Sequence, residues 1–166
     1  MSVLPILTWP DPRLSPRCEP VVHAPGLTGV IANLFETMYA AQGRGLAAPQ
    51  VGILQQFFVM DCGWKEGTPT PKVCINPTIL KSSDETATRP EACLSLPGIS
   101  ADIIRPACIS LQSYDLAGQK QLWQLDGFQA TCAQHEFDHL QGLVTFDRLD
   151  PADRLQLEAR YSAVTA

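Results

Sequence analysis

The sequence has no long apolar run. No stretch approaches the roughly 18 residues that a membrane-spanning helix needs, so no membrane partner is expected. It has no basic excess either: 12 Lys and Arg stand against 17 Asp and Glu, for a net charge of −5. That argues against direct nucleic-acid binding driven by phosphate contacts. The opening Met1 to Leu7 lacks the basic start and long apolar region of an export signal, which makes the cytoplasm the expected location. None of the six cysteines, Cys18, Cys62, Cys74, Cys93, Cys108 and Cys132, forms a Cys-x-x-Cys pair. Without an export signal a disulfide framework is not expected, and most of them read as small buried apolar residues. Histidine is scarce: His23, His135 and His139 are all there are.

What is present is the composition of an ordinary globular protein. Of 166 residues, 45% are hydrophobic and 17% charged, which suits one domain over 1–166 with a proper core. Residues 1–25 read as an extended, proline-rich arm. From Leu27 to Ala41, apolar residues at Leu27, Val30, Ile31, Leu34, Phe35 and Met38 recur at three- and four-residue steps and predict a helix. Gln42-Gly43-Arg44-Gly45 breaks it. A phosphate-cradling loop is a poor match there, because no Gly-Lys-Ser/Thr follows and no strand precedes. Phe57–Met60 and Lys72–Asn76 read as strands, with Ile79–Lys81 a possible extension and Ser82–Glu85 a turn. Glu91–Gly98 has no clean period. Ala107–Tyr114 and Gln121–Leu125 flank a turn at Asp115–Gln119 and predict a hairpin. Asp126 or Gly127 opens a further helix, with Gly142 placed to end it, and Asp150-Pro151 opens a final short one. The pattern is α+β with a mostly antiparallel sheet.

Two of the three histidines fall in Gln134-His135-Glu136-Phe137-Asp138-His139, a His-Glu-x-x-His stretch on the predicted helix. One helical turn takes about 3.6 residues, so His135 and His139 share a face and can bind one metal ion. Glu136 is placed to accept a proton from water on that ion. A catalytic site of this type needs a third protein ligand and an open position. Cys132 is seven residues from His139, roughly 10 Å along the helix, too far to share an ion with it. Cys93, Cys74, Cys108, Glu91 and several aspartates remain candidates, with Cys93 favoured by its irregular, polar surroundings.

Three stretches together resemble the three motifs of peptide deformylases: Gly43-Arg44-Gly45-Leu46-Ala47-Ala48-Pro49-Gln50, Glu91-Ala92-Cys93-Leu94-Ser95 and Gln134 to His139. Their order and separation fit, and the likeness covers nearly the whole chain. The resemblance implies antiparallel sheets around a central helix that carries the two histidines. It implies that Cys93, His135 and His139 hold one divalent metal ion, usually Fe²⁺, with Zn²⁺ or Ni²⁺ as substitutes. The implied reaction removes the formyl group from the N-terminal methionine of a nascent chain or formyl peptide and yields formate. Glu136 would be the general base, with the Gln50 side chain and the Leu94 N–H as oxyanion donors. Gly43, Arg44, Gly45, Glu91, Arg89 and Thr131 would meet the substrate, and Gly45 would let its backbone come close.

Four positions depart from that pattern. Ala92 replaces a glycine of the second motif and would strain its loop if that glycine holds a positive φ. Arg44, Arg89 and Thr131 stand where apolar residues are usual. They would make the methionine pocket more polar unless the arginines turn outward and lay only their stems along it. A divergent paralogue with altered acyl or side-chain preference is the first alternative. A non-catalytic, metal-stabilised module that binds peptide ends is the second, although it would need neither Glu136 nor Gln50. Some relatives carry a long basic tail that docks on the ribosome. The C-terminal helix here balances Arg154 and Arg160 with Asp153 and Glu158, which leaves ribosome association without a visible basis.

Overall fold

A computed structural model describes residues 2–166. Helix α1 spans Thr28–Ala40 and turns Ile31, Leu34, Thr37 and Met38 inward, the three- and four-residue steps of an amphipathic helix. Gln42, with φ 58°, reverses the chain into a short strand β1, Gly45–Ala47. Then come β2 (Phe57–Met60), β3 (Lys72–Ser82), β4 (Thr86–Cys93), β5 (Leu96–Pro106), β6 (Cys108–Tyr114) and β7 (Lys120–Asp126). Helix α2 covers Gly127–Leu140 and α3 covers Pro151–Thr165. The order β1-β2-β3-β6-β7 makes one sheet, and β4-β5 makes a second. Every strand pair is antiparallel. The fold is α+β, as the element pattern implied.

All four residues of β2 are buried, because both faces of the large sheet are covered. Successive side chains on a strand point to opposite faces. Phe57 and Val59 accordingly join Ile31, Leu34 and Met38 of α1 in one apolar cluster. Phe58 and Met60 join Ala130, Cys132, Ala133 and Leu140 of α2 in another. The sheet therefore separates α1 from α2, and α2 is the central helix. A third cluster holds Leu14, Cys93, Leu96, Ile99, Val144, Phe146, Leu157 and Tyr161, tying β4, β5 and α3 to the N-terminal arm.

Two stretches differ from the sequence-based expectation. Glu91–Gly98 is not irregular: it is the end of β4, a two-residue turn at Leu94-Ser95, and the start of β5. Its alternation is hidden because the inward positions are Glu91 and Cys93, and because the register shifts between Ala92 and Cys93. The last helix is not short. It has 15 residues, started as expected by Asp150, whose carboxylate accepts the N–H groups of Ala152 and Asp153. Gly142 ends the α2 turn with φ 78°, also as expected. Among the described residues, no helix is long and apolar enough to cross a membrane.

Candidate active site

Helix α2 is buried over most of its length, so its polar side chains sit in the interior. The rings of His135 and His139 face each other with centroids 5.0 Å apart. Cys93, the last residue of β4, brings its Sγ to 3.3 Å from His139 Nε2. The ligand atoms of Cys93, His135 and His139 all lie within 4.8 Å of one another, and all three residues are buried. That spacing suits three donors around one ion at about 2.0–2.3 Å each. The nitrogen–sulfur donor set fits a first-row divalent metal. The other cysteines are elsewhere: Cys132 directs its thiol at the Arg44 carbonyl, 3.6 Å away, and Cys74 is buried in the sheet. All six are free thiols, and only Cys108 is exposed.

A charged network holds the first histidine. His135 Nδ1 is 2.8 Å from Glu91 Oε1, which directs its Nε2 lone pair at the ion position. Arg105 donates to Glu91 through Nε at 2.6 Å and to Asp138 through an Nη at 2.9 Å. Arg148 Nε donates to Asp138 Oδ2 at 2.9 Å. Burial alone would raise the Glu91 pKa, but the bonds from His135 and Arg105 outweigh it and keep the carboxyl below its ordinary range. Burial, with the nearby positive charge of Arg105, pushes His139 well below the ordinary range, as a neutral ligand requires. Both carboxylate oxygens of Glu91 are engaged, so its carboxylate positions His135 from the wall of the cleft. Arg105, Asp138 and Arg148 escaped the sequence reading. Arg105 shows in the sequence only as a charged residue at an inward strand position, which appears once the strand register is known, while Asp138 on α2 and Arg148 in the turn Thr145–Arg148 carry no linear signal of their pairing.

Glu136 is 4% exposed, and its Oε2 has no hydrogen-bond partner. Burial raises its pKa to about 7, in the range suited to moving protons near neutrality. Gly45 lies against it: a Cβ on Gly45 would come within 2.5 Å of Glu136 Oε1. The space that a Cβ would take is thus occupied by the carboxyl. Gln50 is anchored through Oε1, which accepts the Ala47 N–H at 2.9 Å. Its Nε2 reaches Ser95 Oγ at 3.1 Å and lies 3.7 Å from Cys93 Sγ, facing the ion position. Leu94 begins the turn next to Cys93. The N-terminal arm fastens these pieces together, Leu7 N–H donating to Gln50 O at 2.7 Å and Trp9 N–H to Ser95 O at 2.9 Å.

Residues 3–155 match the family model described as polypeptide deformylase. A peptide deformylase of Brucella suis biovar 1 (strain 1330) is 42% identical over 156 residues, covering 93% of this chain and 89% of that one. The chain belongs to the polypeptide deformylase family. The fold agrees. A Thermotoga maritima deformylase structure superposes with a TM-score of 0.84 at 41% identity, covering 90% of this chain and 99% of that one. An Ehrlichia chaffeensis deformylase in complex with actinonin gives 0.89 at 39%, covering 96% of each. Membership in this family makes the chain an enzyme, a metal-dependent hydrolase of protein synthesis.

The cleft above the deformylase motifs encloses about 470 Å³ and shows what the departures do. Ala92 keeps an ordinary negative φ within β4, so the alanine introduces no strain. Arg44 lines the cleft with its stem and turns its guanidinium away, to Glu66 and the Cys62 carbonyl, 5.3 Å from the Phe128 ring centre. Arg89 is exposed on β4 and does not line the cleft, which reaches along that strand only as far as Pro90. Thr131 lines it, with its hydroxyl 3.3 Å from the Gly127 carbonyl one turn back.

Proposed function

We propose that this chain removes the formyl group from the N-terminal methionine of newly made proteins in the cytoplasm, with Glu136, Gln50 and Leu94 as its catalytic groups. The observation that carries the assignment of roles is convergence. A Cys-His-His donor set, an unpaired carboxyl oxygen and a fixed amide N–H₂ meet at one cleft. A divalent ion held by Cys93, His135 and His139, which we take to be Fe²⁺ with Zn²⁺ or Ni²⁺ as substitutes, would supply Lewis acidity toward water and the formyl oxygen. Glu136 accepts the proton of the attacking water at its free Oε2 while the water oxygen bonds to the formyl carbon. Gln50 Nε2 and the Leu94 N–H donate to the oxygen that gains negative charge. When the C–N bond breaks, Glu136 returns the proton to the leaving amine. The peptide lies along the Gly43-Arg44-Gly45 wall, and its methionine side chain lies toward Thr131 and Phe128 on α2. With Arg44 and the Thr131 hydroxyl turned to protein partners, that pocket presents no bare charge to methionine.

The substrate is an N-formylated peptide or nascent chain. Ribosome docking through α3 gains no support, since Arg154 is engaged by Asp147 and Glu158. The test is formate release from formyl-Met-Ala-Ser by protein purified without oxygen and loaded with Fe²⁺ or Ni²⁺. Steady turnover that a chelator abolishes and added metal restores is expected. No turnover from protein carrying one ion per chain would overturn the reading.

A further inference from the structure

Three consecutive residues after β2 hold three consecutive residues of the cleft wall. Trp64 Nε1 donates to the Gly43 carbonyl at 2.8 Å, Lys65 Nζ donates to the Gln42 carbonyl, and the Glu66 carboxylate pairs with the Arg44 guanidinium. The three form a single helical turn between Gly63 and Gly67. The turn is fixed from behind: Trp64 packs edge-on to Tyr39 of α1 at 5.2 Å, and the Tyr39 hydroxyl donates to Asp61 at 2.8 Å. This clasp sets the charge at the mouth of the cleft. Glu66 neutralises Arg44, and Glu91 and Glu136 are buried within. Lys65 also lines the cleft, is exposed, and among the described residues forms no ion pair. Its ammonium lies over the Trp64 ring, 5.4 Å from the centroid. The mouth therefore carries one uncompensated positive charge.

The position of that charge follows from the wall. Gly45 touches Glu136 and so marks the reacting end. Gln42 is three residues away, at most about 10 Å at roughly 3.3 Å per extended residue. A peptide running alongside reaches that point with its second or third residue. We propose that Lys65, presented by the Trp64–Glu66 clasp, reads the charge of the peptide there and selects acidic over basic side chains after the formyl-methionine. The proposal rests on the deformylase reading of the site.

The experiment compares formate release from formyl-Met-Ala-Glu, formyl-Met-Ala-Ser and formyl-Met-Ala-Lys by Ni²⁺-loaded enzyme at low salt, with kcat and KM separated. KM is expected to rise in that order, by about fivefold from Glu to Lys, the scale of one exposed ion pair. The ratio should shrink in about 0.5 M salt, where exposed charges are screened. Lys65→Met should bring the ratio to near one, and Glu66→Gln, which frees Arg44, should widen it. Equal KM values for the three peptides would overturn the proposal. So would a Lys65→Met enzyme whose KM values all rise by one factor, the mark of a merely structural lysine. No formate from any of the three would instead sink the underlying reading, and this proposal with it.

Discussion

Gly45 shows how closely the chemistry is built at the scale of single residues. Its missing Cβ is the space that holds the Glu136 carboxyl, 2.5 Å from where that atom would be. Gly45→Ala should therefore shift the carboxyl and lower kcat/KM by about 10²-fold, the usual effect of a displaced reacting group, while metal content stays at one ion per chain. Activity within a few-fold of wild type would mean the contact is slack. Glu136→Ala tests the other partner: metal should remain bound and kcat should fall by about 10²–10⁴, the range of a lost general base. Turnover near wild type would contradict the role. The sequence alone marked both residues but not their contact, since nothing in a linear motif says which neighbour fills the space beside a glycine. The sequence left open whether Arg44 and Arg89 turn outward, for a related reason. Whether a long side chain enters a pocket depends on the strand face and on partners such as Glu66, which lies 22 positions from Arg44.

Among the elements, those with a strong period were legible and the β4–β5 hairpin was not. Helix α1 and the β6–β7 hairpin follow their apolar spacing and turn residues, because nothing but packing acts on them. In β4 the inward positions are Glu91 and Cys93, so the usual apolar alternation is replaced by the groups that serve the metal site. The hairpin's main contribution is the Glu91–Arg105–Asp138 network, which joins β4, β5 and α2 and aims His135. Glu91→Gln keeps the shape but removes the charge that holds Arg105 and the His135 tautomer. Metal affinity, measured by competition with a chelator, should weaken by about 10–100-fold, as when an outer partner of a metal-binding histidine is lost. An unchanged affinity would show that α2 alone orients the ring.

For the molecule as a whole, the site sits where the three apolar clusters meet. Helix α2 brings its histidines from the cluster under the large sheet, Leu94 packs on the α1 cluster, and Cys93 belongs to the α3 cluster. The donor set therefore depends on how α3 presses β4 and β5 into place, and α3 is fixed through Leu157 and the Tyr161 hydroxyl, which donates to the Trp9 carbonyl at 2.7 Å. Leu157→Ala and Leu34→Ala should each cost about 2–5 kcal/mol, since both remove a buried leucine. They should differ in their response to metal. A bound ion raises Tm according to its affinity for the folded state. Leu34 lies on the far side of the large sheet from α2, so its variant should keep the full metal-dependent rise. Leu157 shares a cluster with Cys93, so loosening it lets the thiol drift from the histidines, and the rise should shrink. Thermal unfolding of both variants with and without Ni²⁺ makes the comparison. Equal increments in the two would mean that Cys93 is held by its own strand and that α3 stabilises the chain without shaping the metal site.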